Sequence, residues 1–318
     1  MFNFVFLREL KYSSVYIMNQ DNYGFAFNNI TVNNDVVNKQ SKNSYGNVKI
    51  NNEIEFYLYV IKNKVKFPMP RLINYADGFL SIEYIRDSST LTKKVNSTNV
   101  YEYINKIETF LKCMHLIQRP VSFDTIRVDL DIELSKKIMD RFNEYDWTSN
   151  AQFNSITSVN GIKIKNILYY SDLIKSTLFS HLKPRDYYNL IHGDVHLGNI
   201  LLDKNDDIYF IDPRGYFGES KLFGFYEYDY AKLLFGLSGY SIFDEMNITE
   251  LKIIDNNLEI EFIKQHEYIF ENKIFDKVAT LLCLSIWLGN NSCFSNINKK
   301  ITSLMIAYYY CEKYIDCS

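Results

Sequence analysis

The chain has no excess of positive charge, no long apolar run and no cysteine framework. Its 318 residues carry 35 Lys plus Arg against 38 Asp plus Glu, a net charge of −3. No broad basic field is therefore available for a phosphate backbone, and nucleic acid is not expected as a partner. The longest strongly apolar stretch, Val278 to Gly289, falls well short of the roughly 20 residues that span a bilayer, so it predicts a buried helix and no membrane span. The opening MFNFVFLRELKYSS lacks a basic head, a long apolar core and a small-residue cleavage site, which predicts no signal peptide. Five cysteines, Cys113, Cys283, Cys293, Cys311 and Cys317, make an odd number with no C-x-x-C pair. They are expected to be small buried hydrophobes in a reducing cytoplasm, neither disulfide-bonded nor zinc-bound.

Hydrophobic residues make up 47% and charged residues 23%, the balance of a chain that folds around a sizeable core. The length predicts more than one ordinary domain and fewer than three. Glycine and proline are scarce, and there is no internal repeat or low-complexity linker. Residues 1–86 read as a small antiparallel sheet with one helix. Strands are expected at Val15 to Met18, Gly24 to Thr31, Asp35 to Lys39, Arg71 to Tyr75 and Phe79 to Ile85, between Asn, Asp and Gly turn signals. The helix is marked by Ile54, Tyr57, Leu58 and Ile61, from Asn52 to the stop at Phe67-Pro68. Residues 87–318 read as a larger, mainly helical lobe. It opens with a long amphipathic helix carrying Tyr103, Ile107, Phe110, Leu111, Met114 and Leu116, and closes with helices at about 249–271, 274–289 and 297–314.

One short stretch differs from its helical surroundings. Leu190 to Asp194 is followed by Asn199 to Leu202, a polar turn at Asp203 to Asp207, and Ile208 to Asp212, a small β-hairpin flanked by polar loops. His192-Gly193-Asp194, Asn199 and Asp212 thus offer a carboxylate, an amide five residues on and a second carboxylate across the hairpin. Few hard oxygen donors are what Mg²⁺ takes when substrate phosphates complete its shell, and a separate carboxylate can orient a hydroxyl. Phosphoryl transfer is the chemistry this set suits.

His192-Gly193-Asp194-Val195-His196-Leu197-Gly198-Asn199, with Ile211-Asp212 beyond, resembles the catalytic and metal-binding loops of the aminoglycoside phosphotransferase and choline kinase family. The resemblance implies an α+β, protein-kinase-like two-lobed fold with ATP and Mg²⁺ as cofactors. It implies Asp194 as catalytic base, Asn199 and Asp212 as metal ligands, and His192 and Gly193 as shapers of the loop. It also implies an upstream lysine paired with a glutamate to position the ATP phosphates. Lys39 is the candidate lysine, with Lys42 as rival, and Glu53 is favoured over Glu55. Phe79 to Ile85 resembles the strand running into the adenine hinge, which would be Glu83, Tyr84 and Ile85. His115 ends a helix like the one before the family's catalytic region and is expected to be a packed core histidine. Asp229, in Tyr228-Asp229-Tyr230-Ala231-Lys232, is assigned to supporting the catalytic loop, with helix N-capping as the alternative.

Several features depart from the family pattern or bear on the acceptor. No G-x-G-x-x-G marks the first strands, and the turns at Ser13-Ser14 and Asn19 to Gly24 are the candidates for a phosphate cover. Pro213 stands where protein kinases carry Phe, which argues against a protein substrate. Arg214 is placed to reach a phosphate or anionic group, or to form a structural salt bridge. From Glu245 onward ten acids face seven bases, a mild acidic excess that would suit a cation. Asp212-Pro213-Arg214-Gly215-Tyr216-Phe217-Gly218 instead resembles family members encoded with bacterial surface-polysaccharide functions. That resemblance implies a sugar or sugar-derived hydroxyl acceptor, with Tyr216, Tyr226 and Tyr228 as stacking candidates. Aminoglycoside or choline/ethanolamine phosphorylation, and a non-catalytic nucleotide-binding module, are the alternatives.

Overall fold

A computed structural model describes residues 27–316. The expected strand at Val15 to Met18, the start of the next, both candidate phosphate turns and Cys317 lie outside the described residues. The chain divides into two compact units, residues 1–114 with 197–215, and residues 115–196 with 216–318.

In the first unit, β1 (Asn28–Asn33), β2 (Val36–Ser41), β3 (Leu72–Ala76) and β4 (Phe79–Glu83) form an antiparallel sheet in the order β1-β2-β4-β3. Asn33 pairs with Val36, which leaves a two-residue loop whose Asn34 and Asp35 have φ of 45° and 65°. Asn and Asp tolerate that left-handed geometry, and the primed turn matches strand twist. Helix α1 (Ser44–Lys62) packs on the sheet, burying Ile50, Ile54 and Tyr57 against Val37, Leu80 and Ile82.

This helix begins eight residues before the expected Asn52 and ends at Lys62, ahead of Phe67-Pro68. Its first turns have weak intrinsic propensity and are held by tertiary contacts instead. Asn43 caps the Gly46 amide at 2.8 Å, and Asn51 donates to Asp77 at 2.7 Å while accepting from the Gly78 amide at 3.0 Å. Gly78 has φ of 65°, and a Cβ there would lie 1.9 Å from the Asn47 amide oxygen, so the turn between β3 and β4 admits only glycine.

Helix α2 (Val100–His115) buries Val100, Ile104, Ile107, Leu111 and Met114 at three- and four-residue spacing. It stops short of the expected Arg119-Pro120, and Leu116, expected on its apolar face, is 81% exposed beyond the helix end. The hairpin Ile200–Leu202/Ile208–Phe210 forms as expected, and its first strand pairs with the short β5 (Ser89–Thr90). Phe210 stacks on Phe67 at 4.4 Å, and its amide donates to the Pro68 carbonyl. The first unit thus takes in residues 87–114 and 197–215.

The second unit is helical around a small sheet in which Tyr187–Leu190 is flanked by Gln118–Pro120 and Phe223–Gly224. Its principal helices are α3 (Phe123–Asp131), α4 (Ile167–His181), α5 (Tyr226–Phe235), α6 (Lys277–Leu288) and α7 (Ile297–Tyr314). Helix α6 is apolar all round and packs against α4, α5 and α7, the behaviour of a core helix. Among the described residues, no helix is long and apolar enough to cross a membrane. The expected helix over 249–271 is absent. Asp255 and Asn256, with φ of 49° and 61°, turn Ile253–Ile254 back on Asn257–Leu258, and only short helical turns follow. Cys283 and Cys311 are buried as expected, but Cys113 is exposed on the solvent side of α2 and Cys293 is half-buried.

Trp287 of α6 is fully buried among Phe235, Phe243 and Tyr310, and its indole donates to the Ser238 hydroxyl at 2.9 Å. Trp287→Ala is expected to cost about 3–5 kcal/mol through the cavity it leaves and the lost hydrogen bond. Urea denaturation checks this as a lowered midpoint.

Candidate active site

Leu190 ends a strand, and Ile191 donates to the Leu222 carbonyl before the chain turns through His192-Gly193-Asp194. Gly193 has φ of 80°, a conformation that glycine adopts without strain. Helix α5 holds this loop. Its fully buried Asp229 accepts from the His192 amide at 3.0 Å and the Gly193 amide at 2.6 Å, and pairs with His115 Nε2 at 2.9 Å. Asp229 does not cap α5, whose N-cap position is Phe225. His115 is 7% exposed, with ring contacts to Tyr226 and Tyr230.

The loop's own bonds orient Asp194, whose amide meets His192 Nδ1 at 3.2 Å while its carbonyl accepts from His196 N at 2.9 Å. Lys232 of α5 reaches the Asp194 carboxylate at 2.8 Å, and His196 Nε2 lies 3.9 Å away. Burial opposes charge on Asp194, but the Lys232 ammonium outweighs it and holds the carboxyl well below the usual range. A carboxyl lowered on folding contributes stability above its unfolded value of about 3.9 and loses it as pH falls through the folded value. Asp229 and Lys232 are three residues apart, so one helix face supplies both the loop's backbone acceptor and the cation for its carboxylate.

The first unit assembles the second group of sequence candidates. Lys39 of β2 is 4% exposed and donates to Glu53 of α1 at 2.8 and 3.0 Å, and to Asp212. Lys42 is exposed. Desolvation would lower the Lys39 pKa, but the Asp212 and Glu53 carboxylates overcome it and hold the ammonium above its usual range. Asp212 follows the hairpin with φ of 57°, an unusual conformation for a residue with a Cβ and one found at functional sites. Asn199 is 8% exposed and its carbonyl accepts from the Ile211 amide at 3.0 Å, which puts it at the same hairpin end as Asp212.

The expected hinge is partly committed to the sheet. Glu83 N–H donates to Arg71 at 2.9 Å and Tyr84 N–H to Asp35 at 2.8 Å, while the Ile85 side chain packs on Leu201 and Ile211 of the hairpin. Arg214 is half-buried, and a Cβ on the next residue, Gly215 (φ 63°), would lie 3.0 Å from the Asn52 carbonyl of α1.

Sequence reasoning passed over several residues. Buried Asp129 accepts from the Glu219 amide at 2.7 Å and Glu133 from the Gly218 amide at 3.2 Å, so both anchor the turn that ends the Asp212-to-Gly218 segment. Nothing in the helical pattern of 123–142 separates these acids from solvent-facing ones. Lys232 was legible in principle from its three-residue spacing to Asp229. Tyr228 is fully buried with its hydroxyl on Glu133 at 3.1 Å, which removes it as a stacking surface. Tyr226 packs beside Arg185 and His115.

The described elements form an α+β fold of the kinase-like class. The chain belongs to the phosphotransferase enzyme family, whose model matches residues 24–242. It is accordingly an ATP-dependent phosphotransferase acting on an alcohol group of a small molecule, with Mg²⁺ as metal. Among solved structures, the gentamicin complex of APH(2")-IIa is 15% identical, covering 98% of this chain and 97% of that one at a TM-score of 0.51. The streptomycin–ATP complex of APH(2")-IIa is 14% identical, covering 99% of both at 0.50. LicA in complex with AMP is 12% identical, covering 91% of this chain and 88% of that one at 0.50. At these identities the likeness is one of fold. Among curated proteins, none matches the chain in sequence.

Two outcomes test this geometry. Asp229→Ala strands two buried amides at about 1–3 kcal/mol each, so hydrogen exchange at His192 and Gly193 is expected to accelerate as the urea midpoint falls. Lys39→Met leaves Glu53 buried without its cation and is expected to cost about 3–5 kcal/mol, part of it recovered in the Lys39→Met/Glu53→Gln double variant. Denaturation of the two variants side by side measures that coupling.

Proposed function

We propose that this phosphotransferase moves the γ-phosphoryl group of ATP to a hydroxyl of a sugar or sugar-derived acceptor of the kind used in surface polysaccharides. The observation that carries the nucleotide half of this reading is the buried Lys39–Glu53 pair reaching Asp212. In it, Lys39 binds the α- and β-phosphates and Glu53 positions Lys39. Residues 1–86 serve the nucleotide, with Glu83, Tyr84 and Ile85 as the adenine hinge. Because the Glu83 and Tyr84 amides are taken up by the sheet, Ile85 is the amide assigned to the base. Asn199 and Asp212 offer one amide oxygen and one carboxylate, a sparse hard-donor set that fits Mg²⁺, which keeps waters and phosphate oxygens in its shell. Bound there, the metal would neutralise charge developing on the phosphates.

Residues 87–318 supply the catalytic loop and the acceptor site. Asp194 orients the acceptor hydroxyl and takes its proton as the new O–P bond forms and ADP leaves. Its depressed pKa keeps it ionised for that task through the neutral range. Asp229 and His192 hold the loop in shape, and Arg214 faces an anionic group of the nucleotide or acceptor. The sugar assignment is supported by the likeness of the Asp212-to-Gly218 segment to surface-polysaccharide members of the family.

Mg²⁺-dependent ADP release across neutral sugars, sugar phosphates, choline, ethanolamine and aminoglycosides tests the reading. A sugar is expected to stimulate release, Asp212→Ala to abolish it, and Asp194→Asn to lower it by about 10²–10⁴-fold. Wild-type turnover by Asp212→Ala would falsify the metal assignment, and stimulation by aminoglycosides alone would replace the sugar.

A further inference from the structure

The surroundings of Asp194 within the second unit carry more than a base. Lys232 pairs with its carboxylate at 2.8 Å, is only 14% exposed, and lies over the Tyr228 and Phe235 rings at 5.9 and 5.7 Å. A desolvated ammonium braced by two rings has little freedom to leave its carboxylate. Beyond α5 the chain makes one π-helical turn, Gly236–Tyr240, a local defect that re-aims side chains. Gly239 takes φ of 109°, and a Cβ there would lie 2.7 Å from the Phe262 ring. The turn delivers Tyr240 onto Phe235 at 4.1 Å and edge-on to His196 at 5.5 Å. The Tyr240 hydroxyl meets Asp244 at 3.4 Å, and Lys299 donates to the Asp244 carbonyl at 2.8 Å, close enough for its charge to act on the Asp244 carboxylate.

Two carboxylates, Asp194 and Asp244, therefore flank the Tyr240–His196 contact: Asp194 is paired with Lys232, while burial pushes the Asp244 carboxyl up against the opposing charge of Lys299, which bonds its main-chain carbonyl. An acceptor bearing an ammonium group would gain from bare carboxylates; here the Asp194 charge is compensated by Lys232, burial disfavours charge on Asp244, and Lys232 adds repulsion next to the reacting oxygen.

We infer that Lys232 is a positioning residue for Asp194 and, together with Lys299, makes the face around Tyr240 electrically neutral, so that it selects an uncharged polyhydroxyl acceptor over an ammonium-bearing one of the same shape. The inference rests on the reading of Asp194 as the carboxylate that meets the acceptor hydroxyl. Among the described residues, Lys232 from α5 and His192 and His196 from its own loop act on Asp194, and Tyr240 lies near enough to feel its charge. Lys232 is the one of these that bonds to the carboxylate oxygen as a permanent cation.

The test compares matched probes, glucose and N-acetylglucosamine against glucosamine, by Mg²⁺-ATP-dependent ADP release in wild type, Lys232→Met, Lys232→Arg and Asp194→Asn. The uncharged probes are expected to be favoured by about tenfold or more in kcat/KM, the scale of one unfavourable charge contact. Lys232→Met is expected to lower kcat, to shift the ratio toward glucosamine and to raise the acid limb of the kcat profile, with Lys232→Arg restoring all three. The carboxyl titration of Asp194, assigned by its loss in Asp194→Asn, gives a readout independent of turnover and is expected to move upward in Lys232→Met. An unchanged titration, or a wild-type preference for glucosamine, overturns the inference. Full activity in Asp194→Asn instead overturns the underlying reading of Asp194, which keeps the two failures apart.

Discussion

The His192-Gly193-Asp194 loop depends on one buried carboxylate. Asp229 has no exposure to solvent, and a polar group there is tolerable only if nearby partners replace the lost water. The His192 amide and the Gly193 amide donate to it, and the His115 ring pairs with it. The satisfaction runs both ways, because a tight turn through a left-handed glycine leaves amides that no strand partner can take. Asp229 thereby fixes the turn from which Asp194 projects, and the same helix face brings Lys232 to the Asp194 carboxylate. Helix α5 is itself held by α6, whose apolar circumference leaves it no stable place but the core.

The first unit solves a different electrostatic problem. Lys39 is nearly inaccessible, and its charge is compensated by two carboxylates drawn from separate elements, Glu53 on α1 and Asp212 beyond the hairpin. Helix α1 must therefore sit in one register on the sheet. The Asn43 cap, the Asn47 and Asn51 contacts to the Asp77-Gly78 turn, and the Ile50–Ile54–Tyr57 face enforce that register together. A buried ion network of this kind adds little net stability, but removing one member leaves a charge unpaired. Such a network specifies geometry more than it supplies free energy.

Legibility from sequence followed the range of the interactions involved. The 200–210 hairpin and helix α7 matched their patterns closely, because a polar turn between apolar runs and a sustained helical period are local signals. The start of α1 was misplaced since its first turns are held by contacts with a distant turn. The supposed helix over 249–271 became a hairpin because Asp255-Asn256 accepts left-handed geometry, a turn signal outweighed on paper by flanking apolar residues. Lys39, Glu53, Asp194, Asn199 and Asp212 were picked out because their spacing and order resemble a family pattern, and the structure pairs Lys39 with Glu53 and Asp212. Asp129, Glu133 and Tyr240 were not, since a buried acid and an exposed one look alike in a helical stretch, and a π turn leaves no periodic mark.

Residue type and short spacing suffice for the class of chemistry, for singling out the 190–212 loop and hairpin, and for the alternation of sheet and helix. Packing settled between open alternatives, that Glu53 and not Glu55 meets Lys39 and that Asp229 holds the loop instead of capping a helix, and it alone brought Lys232 to Asp194. Those choices rest on burial, which converts an ordinary surface charge into one that must find its counter-charge or donors. Burial is a property of the packed chain and not of any residue in it.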